Sequence, residues 1–265
     1  MAAQNARKQL DVTVFRGWKD SARLRFAGVK YTTEAGSLKA APKGKIPYIE
    51  CRDLSSISAP AAHEESPGSR VPLGDSALIA KALTEWNVLP DLNGALNPSN
   101  RSHDMGLIAL LENKLNFYHA RERWIQNYYT MRDHTLWSIP YPIRVVVGLI
   151  IYRDNNAMLH AQGTGRFTDE EIDEFRHEIW EGLSALLTAS QSNSSKLSDN
   201  DMPFWILGGD HPTEADTCLF GFIVSALICT AGPDSQKEVR KFPILLDYAE
   251  RIHNCYFPDY EKWAV

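Results

Sequence analysis

Cysteine is scarce in this chain. Cys51, Cys218, Cys229 and Cys255 are too few and too scattered among 265 residues for a disulfide framework, and none stands in a CxxC or zinc-ligand spacing. A reducing, cytoplasmic setting is therefore expected. Long apolar runs are missing too. The strongest, LFGFIVSALICTA from Leu219, has the length of a buried core helix and falls short of the roughly 20 residues of a membrane span. The opening MAAQNARKQLD has no apolar stretch of the secretory kind. Positive charge is not in excess: 28 Lys and Arg against 33 Asp and Glu give a net charge of −5, so no basic surface is available for nucleic-acid phosphates or anionic lipid. The eight histidines are dispersed without HExxH spacing, and neither GxSxG nor GxGxxG occurs. No metal, nucleic acid or transmembrane segment is expected.

What is present is ordinary in amount and uneven in distribution. With 44% hydrophobic and 23% charged residues, the chain can bury a core and lies far from the composition of disorder. The first third has strand and turn texture. DVTVFR from Asp11, KYTTEA from Lys30 and KIPYIEC from Lys45 read as strands, with a short helical candidate, GWKDSARLRFAGV, between the first two and closed by Gly28. Residues 52–70, rich in Ser, Pro and Ala without period, predict an exposed loop whose removal leaves the fold intact. Asp75 or Ser76 then caps a helix whose inward face is Leu78, Ile79, Ala82, Leu83 and Trp86.

From residue 95 onward the periodicity is helical. Leu107, Leu111, Leu115, Tyr118 and Ile125 mark a long amphipathic segment beginning near Asn100. Thr168 with Glu171 forms a capping box ahead of a stripe of Ile172, Phe175, Ile179, Leu183 and Leu186, and Ser190 to Asp201 reads as a polar linker. Thr213 and Asp216 open a nearly all-apolar helix that carries Cys218 and Cys229 and must be covered on most sides. Pro243 starts a last helix with Ile244, Leu245, Tyr248 and Ile252 inward. The expected organisation is α+β, with a mixed module over residues 1–94 and an all-helical one over 95–265.

Three segments carry a family resemblance. KGKIPYIE, followed after the loop by GDSALIAKAL, resembles the third strand, cis-proline and strand-to-helix turn of a glutathione transferase N-terminal domain. GGDHPTEADTCLFGFI resembles the entry to the central helix of that superfamily's C-terminal domain. Within the superfamily, RLRFAGVKYTTEAGSLKAAPKGKIPYIE, RERWIQNYYTMRDH and YAERIHNCYFPDYEKW are most similar to the failed-axon-connections and metaxin-like branch, in its fungal-type members. The resemblance implies a thioredoxin-like N-terminal domain and an all-α glutathione-transferase-type C-terminal domain. It also implies glutathione as co-substrate, a small hydrophobic molecule as the second ligand, and an assembly that can be a homodimer.

Elementary chemistry gives the implied residues their roles. A cis X-Pro bond lies only about 0.5–1 kcal/mol above trans, so Ile46-Pro47 can present the backbone of residue 46 to an extended peptide. Asp75 can take an amino group, while Ser76 and the N–H groups of a helix start can take a carboxylate. Either pair also has a plain reading, as an edge-strand proline and a helix cap.

The resemblance implies that thiol activation would come from a hydroxyl or thiol donor at the start of the first helix, where Ser21 is the only nearby hydroxyl. Relatives in the resembling branch carry a longer stretch there. This chain has a shortened first helix, and Ser21 equally serves as an N-cap. Arg121, Arg123, Trp124, Tyr128 and Tyr129 form a polar-aromatic group that would lie on the substrate side of such a fold, or be a solvated face. The expected function is a glutathione transferase or glutathione-dependent isomerase. The alternatives are a non-catalytic metaxin-like binding or assembly module and a dedicated glutathione-dependent step in a biosynthetic pathway.

Overall fold

The computed structural model describes residues 10–16, 22–37, 40–44, 46–53, 71–194 and 202–263. The chain divides into two units, Met1–Gly94 and Ala95–Val265.

The first unit is built on a four-stranded sheet. Strands β1 (Leu10–Arg16), β2 (Thr32–Ala35), β3 (Tyr48–Asp53) and β4 (Val71–Gly74) lie in the order β2-β1-β3-β4. β1 and β2 are parallel and connected through α1 (Ala22–Phe26), while β1–β3 and β3–β4 are antiparallel. A βαβ start followed by an antiparallel hairpin is the thioredoxin-like arrangement expected. Side chains alternate across the sheet. Val12, Val14, Ile49 and Cys51 form one core with Leu24 of α1 and with Ile79 and Leu83 of α2 (Ser76–Glu85). Phe15 and Tyr48 belong to a second cluster, their rings stacked 4.6 Å apart.

Several expectations for this unit need correction. β3 continues to Asp53, so Arg52 and Asp53 belong to the sheet, and residues 54–70 of the expected loop lie outside the described residues. β4 was not marked by pattern because VPLG is four residues long with a proline inside it. Pro72 is tolerated because β4 is an edge strand, where a missing N–H costs no second ladder. Leu78 is 47% exposed and does not join the inward face of α2.

The second unit is helical. α3 (Pro98–Leu110) is capped by Asn97, whose Oδ1 accepts the Asn100 N–H at 2.8 Å. The same run continues through a π-helical turn (Leu111–Leu115), α4 (Asn116–Arg121) and a second π turn (Glu122–Gln126) into α5 (Tyr128–Thr135). Then follow α6 (Tyr141–Gln162), α7 (Asp169–Ser194), α8 (Glu214–Ile228), α9 (Pro233–Arg240) and α10 (Pro243–Tyr256). The Thr168–Glu171 box is present in both directions, at 2.8 and 3.2 Å.

The buried stripe of α7 is Ile172, Arg176, Trp180, Leu183 and Leu187, with Leu186 45% exposed. The expected stripe shares Ile172 and Leu183 with it, and departs from it at Arg176, Trp180 and Leu187 because an arginine holds one of the inward positions. α7 also runs on through Ser190, which is buried and donates to the Trp205 carbonyl, so the expected linker begins later. α6 and α9 went unread. Apart from Arg144 the first half of α6 is apolar on every side, which erases the period by which a helix is recognised.

α8 packs at the centre as expected. Ala215, Leu219, Ile223 and Ala226 are fully buried, whereas Cys218 is half-buried and Cys229 stands just beyond the helix end. Gly148 of α6 meets α5 without space for a side chain. A Cβ there would lie 2.7 Å from the Tyr128 hydroxyl and 2.8 Å from the Arg132 side chain. Among the described residues no single helix is long and apolar enough to cross a membrane.

Candidate functional site

In the N-terminal unit the β3–β4 register decides which groups meet. Tyr48 pairs with Gly74, so the next residues outward, Pro47 and Asp75, stand at the same end of the hairpin. The Ile46–Pro47 bond is cis. Ile46 packs on the cluster of Phe15, Ala41 and Tyr48, which fixes the backbone leading into β3. Gly74 is required where it stands. A Cβ at this position would lie 2.6 Å from the Pro42 carbonyl oxygen, because the turn Pro42–Gly44 presses on the end of β4.

Asp75 is the N-cap of α2, its Oδ1 accepting the Leu78 N–H at 3.3 Å. Its backbone has φ 79° and ψ 122°, a conformation that a residue with a Cβ adopts only when the surroundings over-determine it. Ser76 opens the helix with an exposed side chain. In the first turn of a helix the N–H groups have no intrahelical acceptor and face outward with the positive end of the dipole. One end of the hairpin thus offers a carboxylate, a hydroxyl, outward N–H groups and an exposed strand entry. Such a set can receive a small zwitterionic peptide.

Ser21, the expected thiol-activating residue, lies outside the described residues. α1 begins at Ala22 and has five residues, too few for a strong terminal dipole.

The other sequence-predicted residues lie in the C-terminal unit and have protein partners. Arg121 donates to the carbonyls of Thr164 and Phe167 and pairs with Asp169 at 2.7 Å, which ties α4 to the turn before α7. Arg123 donates from Nη2 to the Ser225 carbonyl and hydroxyl on α8. Tyr128 packs edge-on against Tyr129 and Tyr152, and the Arg132 guanidinium lies over its ring. Trp124 is half-buried. No two of these four residues are brought onto one another by a bond.

Sequence reasoning missed a buried polar hub in the same unit. Glu122 and Arg176, 1% and 4% exposed, pair at 2.7 Å. Glu122 also accepts the N–H groups of Asp234 and Ser235 at the start of α9. The signal was present in the sequence, an arginine on the inward stripe of an amphipathic helix. His119 lies next to this hub, stacked near Trp180. Burial holds its imidazole well below its ordinary range, and Arg123 and Arg176 add to the effect. Cys218 is no candidate nucleophile, since burial pushes its thiol up to about 12. Among the described residues no group of three or more His, Cys, Asp and Glu side chains is placed to hold a metal ion.

Comparison with known proteins follows the same lines. The family described as glutathione S-transferase N-terminal domain matches residues 18–131. Among curated proteins none matches the chain. Of solved structures, maleylacetoacetate isomerase from Anaeromyxobacter dehalogenans 2CP-1 is 13% identical with a TM-score of 0.45, over 97% of this chain and 96% of that one. The same enzyme with bound GSH is 15% identical with a TM-score of 0.45, over 96% and 98%. Glutathione transferase Omega 1C from Trametes versicolor is 13% identical with a TM-score of 0.47, over 96% and 92%. The family match spans residues 18–131, fewer than half of the chain, and includes β3, β4 and the start of α2; it does not reach the failed-axon-connections or metaxin-like branch.

Proposed function

We propose that the N-terminal unit binds glutathione at the end of the β3–β4 hairpin, and that the protein uses it as co-substrate to conjugate or isomerise a small hydrophobic electrophile in the cytoplasm. One observation carries this reading: the register that sets Ile46-Pro47 beside Asp75-Ser76 falls inside the region matched by the glutathione S-transferase N-terminal domain family. Ile46 and Pro47 line the extended backbone of the tripeptide. Asp75 receives the γ-glutamyl ammonium, and Ser76 with the first N–H groups of α2 receives the adjacent carboxylate. A free thiol titrates near 8.5, so without a strong donor it stays mostly protonated at neutral pH. We therefore expect binding with slow turnover, and what turnover there is depends on Ser21. Four free thiols suit a reducing compartment.

The backbone of Asp75 supplies the test. Glycine adopts φ 79° without steric cost and is nearly as good an N-cap as aspartate in exposed settings. Asp75→Gly is expected to stabilise the fold by about 1 kcal/mol. It is also expected to weaken glutathione binding at least tenfold in calorimetry, since a charge-assisted bond to the ammonium is lost. Ser76→Ala weakens binding with little change in melting temperature. Glutathione that fails to bind the wild type at millimolar concentration, or binds Asp75→Gly equally well, overturns the reading.

A second reading, a metaxin-like or failed-axon-connections-like assembly module without catalysis, is favoured by the five-residue α1. It is the better one if glutathione binds but an aryl halide shows no turnover above the uncatalysed rate.

A further inference from the structure

The interior of the C-terminal unit holds more hydrogen-bond donors than acceptors. Nε of Arg123, Nε of Arg176, Nε1 of Trp180 and Nε2 of His119 are all buried, and none has a hydrogen-bond partner among the described residues. The four belong to one neighbourhood. His119 on α4 and Arg123 in the second π turn are four residues apart, as are Arg176 and Trp180 on α7, so each pair lies along one side of its helix. The His119 ring stands 6.4 Å from that of Trp180 and 5.9 Å from that of Phe222 on α8. Arg176 reaches Glu122 at 2.7 Å, and Arg123 Nε and Glu122 Oε1 both face Gly232, 3.7 and 3.8 Å from the place a Cβ would take there.

Charge in this neighbourhood is unbalanced in the same sense. Two guanidinium groups stand against one buried carboxylate, because Asp173, the other acidic partner of Arg176, is 61% exposed and shared with solvent. Burial keeps the His119 imidazole neutral, and both guanidiniums act on it in the same direction. Buried donors in folded proteins almost always find an acceptor, in the protein, in water or in an ion.

We propose that the interior between α4, α7 and α8 binds a monovalent anion of halide size, chloride, held by the N–H groups of Arg123, Arg176 and Trp180 and by His119 in its Nε2–H tautomer. Arg123 is already tethered to Ser225 of α8, at 3.3 Å to the carbonyl and 3.1 Å to the hydroxyl, and Arg176 to Ser235 of α9 at 3.0 Å. An anion between them ties four helices through one centre.

The chemistry of the donors narrows the ligand. A water molecule satisfies N–H groups with its oxygen but brings two O–H groups of its own, and the Glu122 carboxylate already accepts Arg176, the Asp234 and Ser235 N–H groups and the Ser235 hydroxyl. It also leaves the surplus positive charge in place. Sulfate brings two charges against a surplus of one. A carboxylate needs an opening for the rest of its molecule, and His119, Arg176 and Trp180 are at most 4% exposed. This inference is independent of glutathione binding.

The chloride dependence of stability tests it on the full-length chain, at constant ionic strength, with gluconate, too large to enter, in place of chloride. A ligand that binds only the folded protein multiplies the folding equilibrium constant by one plus the ratio of its concentration to Kd. Above the Kd, each tenfold rise in chloride should therefore raise that constant about tenfold and the melting temperature by about 3–5 °C. Gluconate should give no such rise. Trp180→Phe and Arg123→Met each remove one donor, and each should weaken the apparent chloride affinity about tenfold, whatever the variant's own melting temperature. In crystals grown in bromide, anomalous scattering should place one ion within hydrogen-bond reach of Arg123, Arg176 and Trp180. Stability that follows chloride and gluconate alike overturns the proposal. So does a chloride dependence that both variants retain in full, because the ion then binds elsewhere. A bromide at the site with chloride-independent stability marks an adventitious ion only and overturns it as well.

Discussion

Glu122→Ala is expected to destabilise the C-terminal unit by about 3–5 kcal/mol, the range for removing one partner of a buried ion pair. The Glu122 carboxylate is 1% exposed and makes contacts on three sides. It pairs with Arg176 Nη1 at 2.7 Å, accepts the Asp234 and Ser235 N–H groups at 2.7 and 3.1 Å, and accepts the Ser235 hydroxyl. α9 begins at Pro233 with no side-chain cap of its own, so Glu122, over a hundred residues earlier in the chain, supplies both the acceptor and the negative charge that its N-terminus favours. Alanine leaves an arginine in the interior with no buried carboxylate beside it, bonded only to the Ser235 hydroxyl and to Asp173 on an exposed rim among the described residues.

Thermal denaturation should show a fall of about 10 °C, at roughly 2–4 °C per kcal/mol for a unit of this size. The double variant Glu122→Leu/Arg176→Met should recover much of the loss, because a well-packed apolar pair replaces the ionic one without an orphaned charge. A loss under about 1 kcal/mol for Glu122→Ala would show that the hub does not hold α9.

These particular residues show why part of the molecule could be read from sequence and part could not. The alternation of Val12 and Val14, the capping boxes at Thr168 and Thr213, and the proline opening α10 are local rules that act over two to four residues, and each appears in the structure as its pattern requires. β4 failed because four residues carry too little pattern, and its strand character comes from β3 beside it. α6 failed for the opposite reason. Its apolar residues are needed on two faces, so no single period stands out.

The Glu122–Arg176 hub joins positions 54 residues apart, and nothing local announces a contact of that kind. At the candidate site the residues could be named, but not the φ of 79° at Asp75 or the close approach of Gly74 to the Pro42 carbonyl. Ser21, on which the proposed turnover depends, lies outside the described residues and stays where the sequence left it.

Asp216 provides a second large effect with a characteristic dependence on pH. It is fully buried at the start of α8, and all its acceptor capacity is used. Oδ1 accepts the Ile206 N–H and the Tyr248 hydroxyl, each at 2.8 Å, and Oδ2 accepts the N–H and hydroxyl of Thr213 at 2.8 and 3.0 Å. Four donors favour the carboxylate, but burial outweighs them and raises its titration from 3.8 to about 6. A carboxyl group that titrates higher folded than unfolded binds its proton more tightly in the native state, so its contribution to stability is fully present below the unfolded value, near 4, and is lost as the pH rises to about 6. With about 1.4 kcal/mol for each unit of separation, the loss across that window is on the order of 3 kcal/mol.

Asp216→Asn removes the titration. It also turns two acceptor sites toward N–H and O–H donors, so the variant should be less stable by about 2–4 kcal/mol where the native side chain is still protonated. Denaturation from pH 4 to 7 on both proteins isolates the group, because every other titrating residue contributes equally to the two curves. The gap between the curves is expected to narrow as the pH rises from 4 to 6 and then to stay constant. A gap that widens over this range would mean that the four hydrogen bonds, and not burial, govern the charge of Asp216.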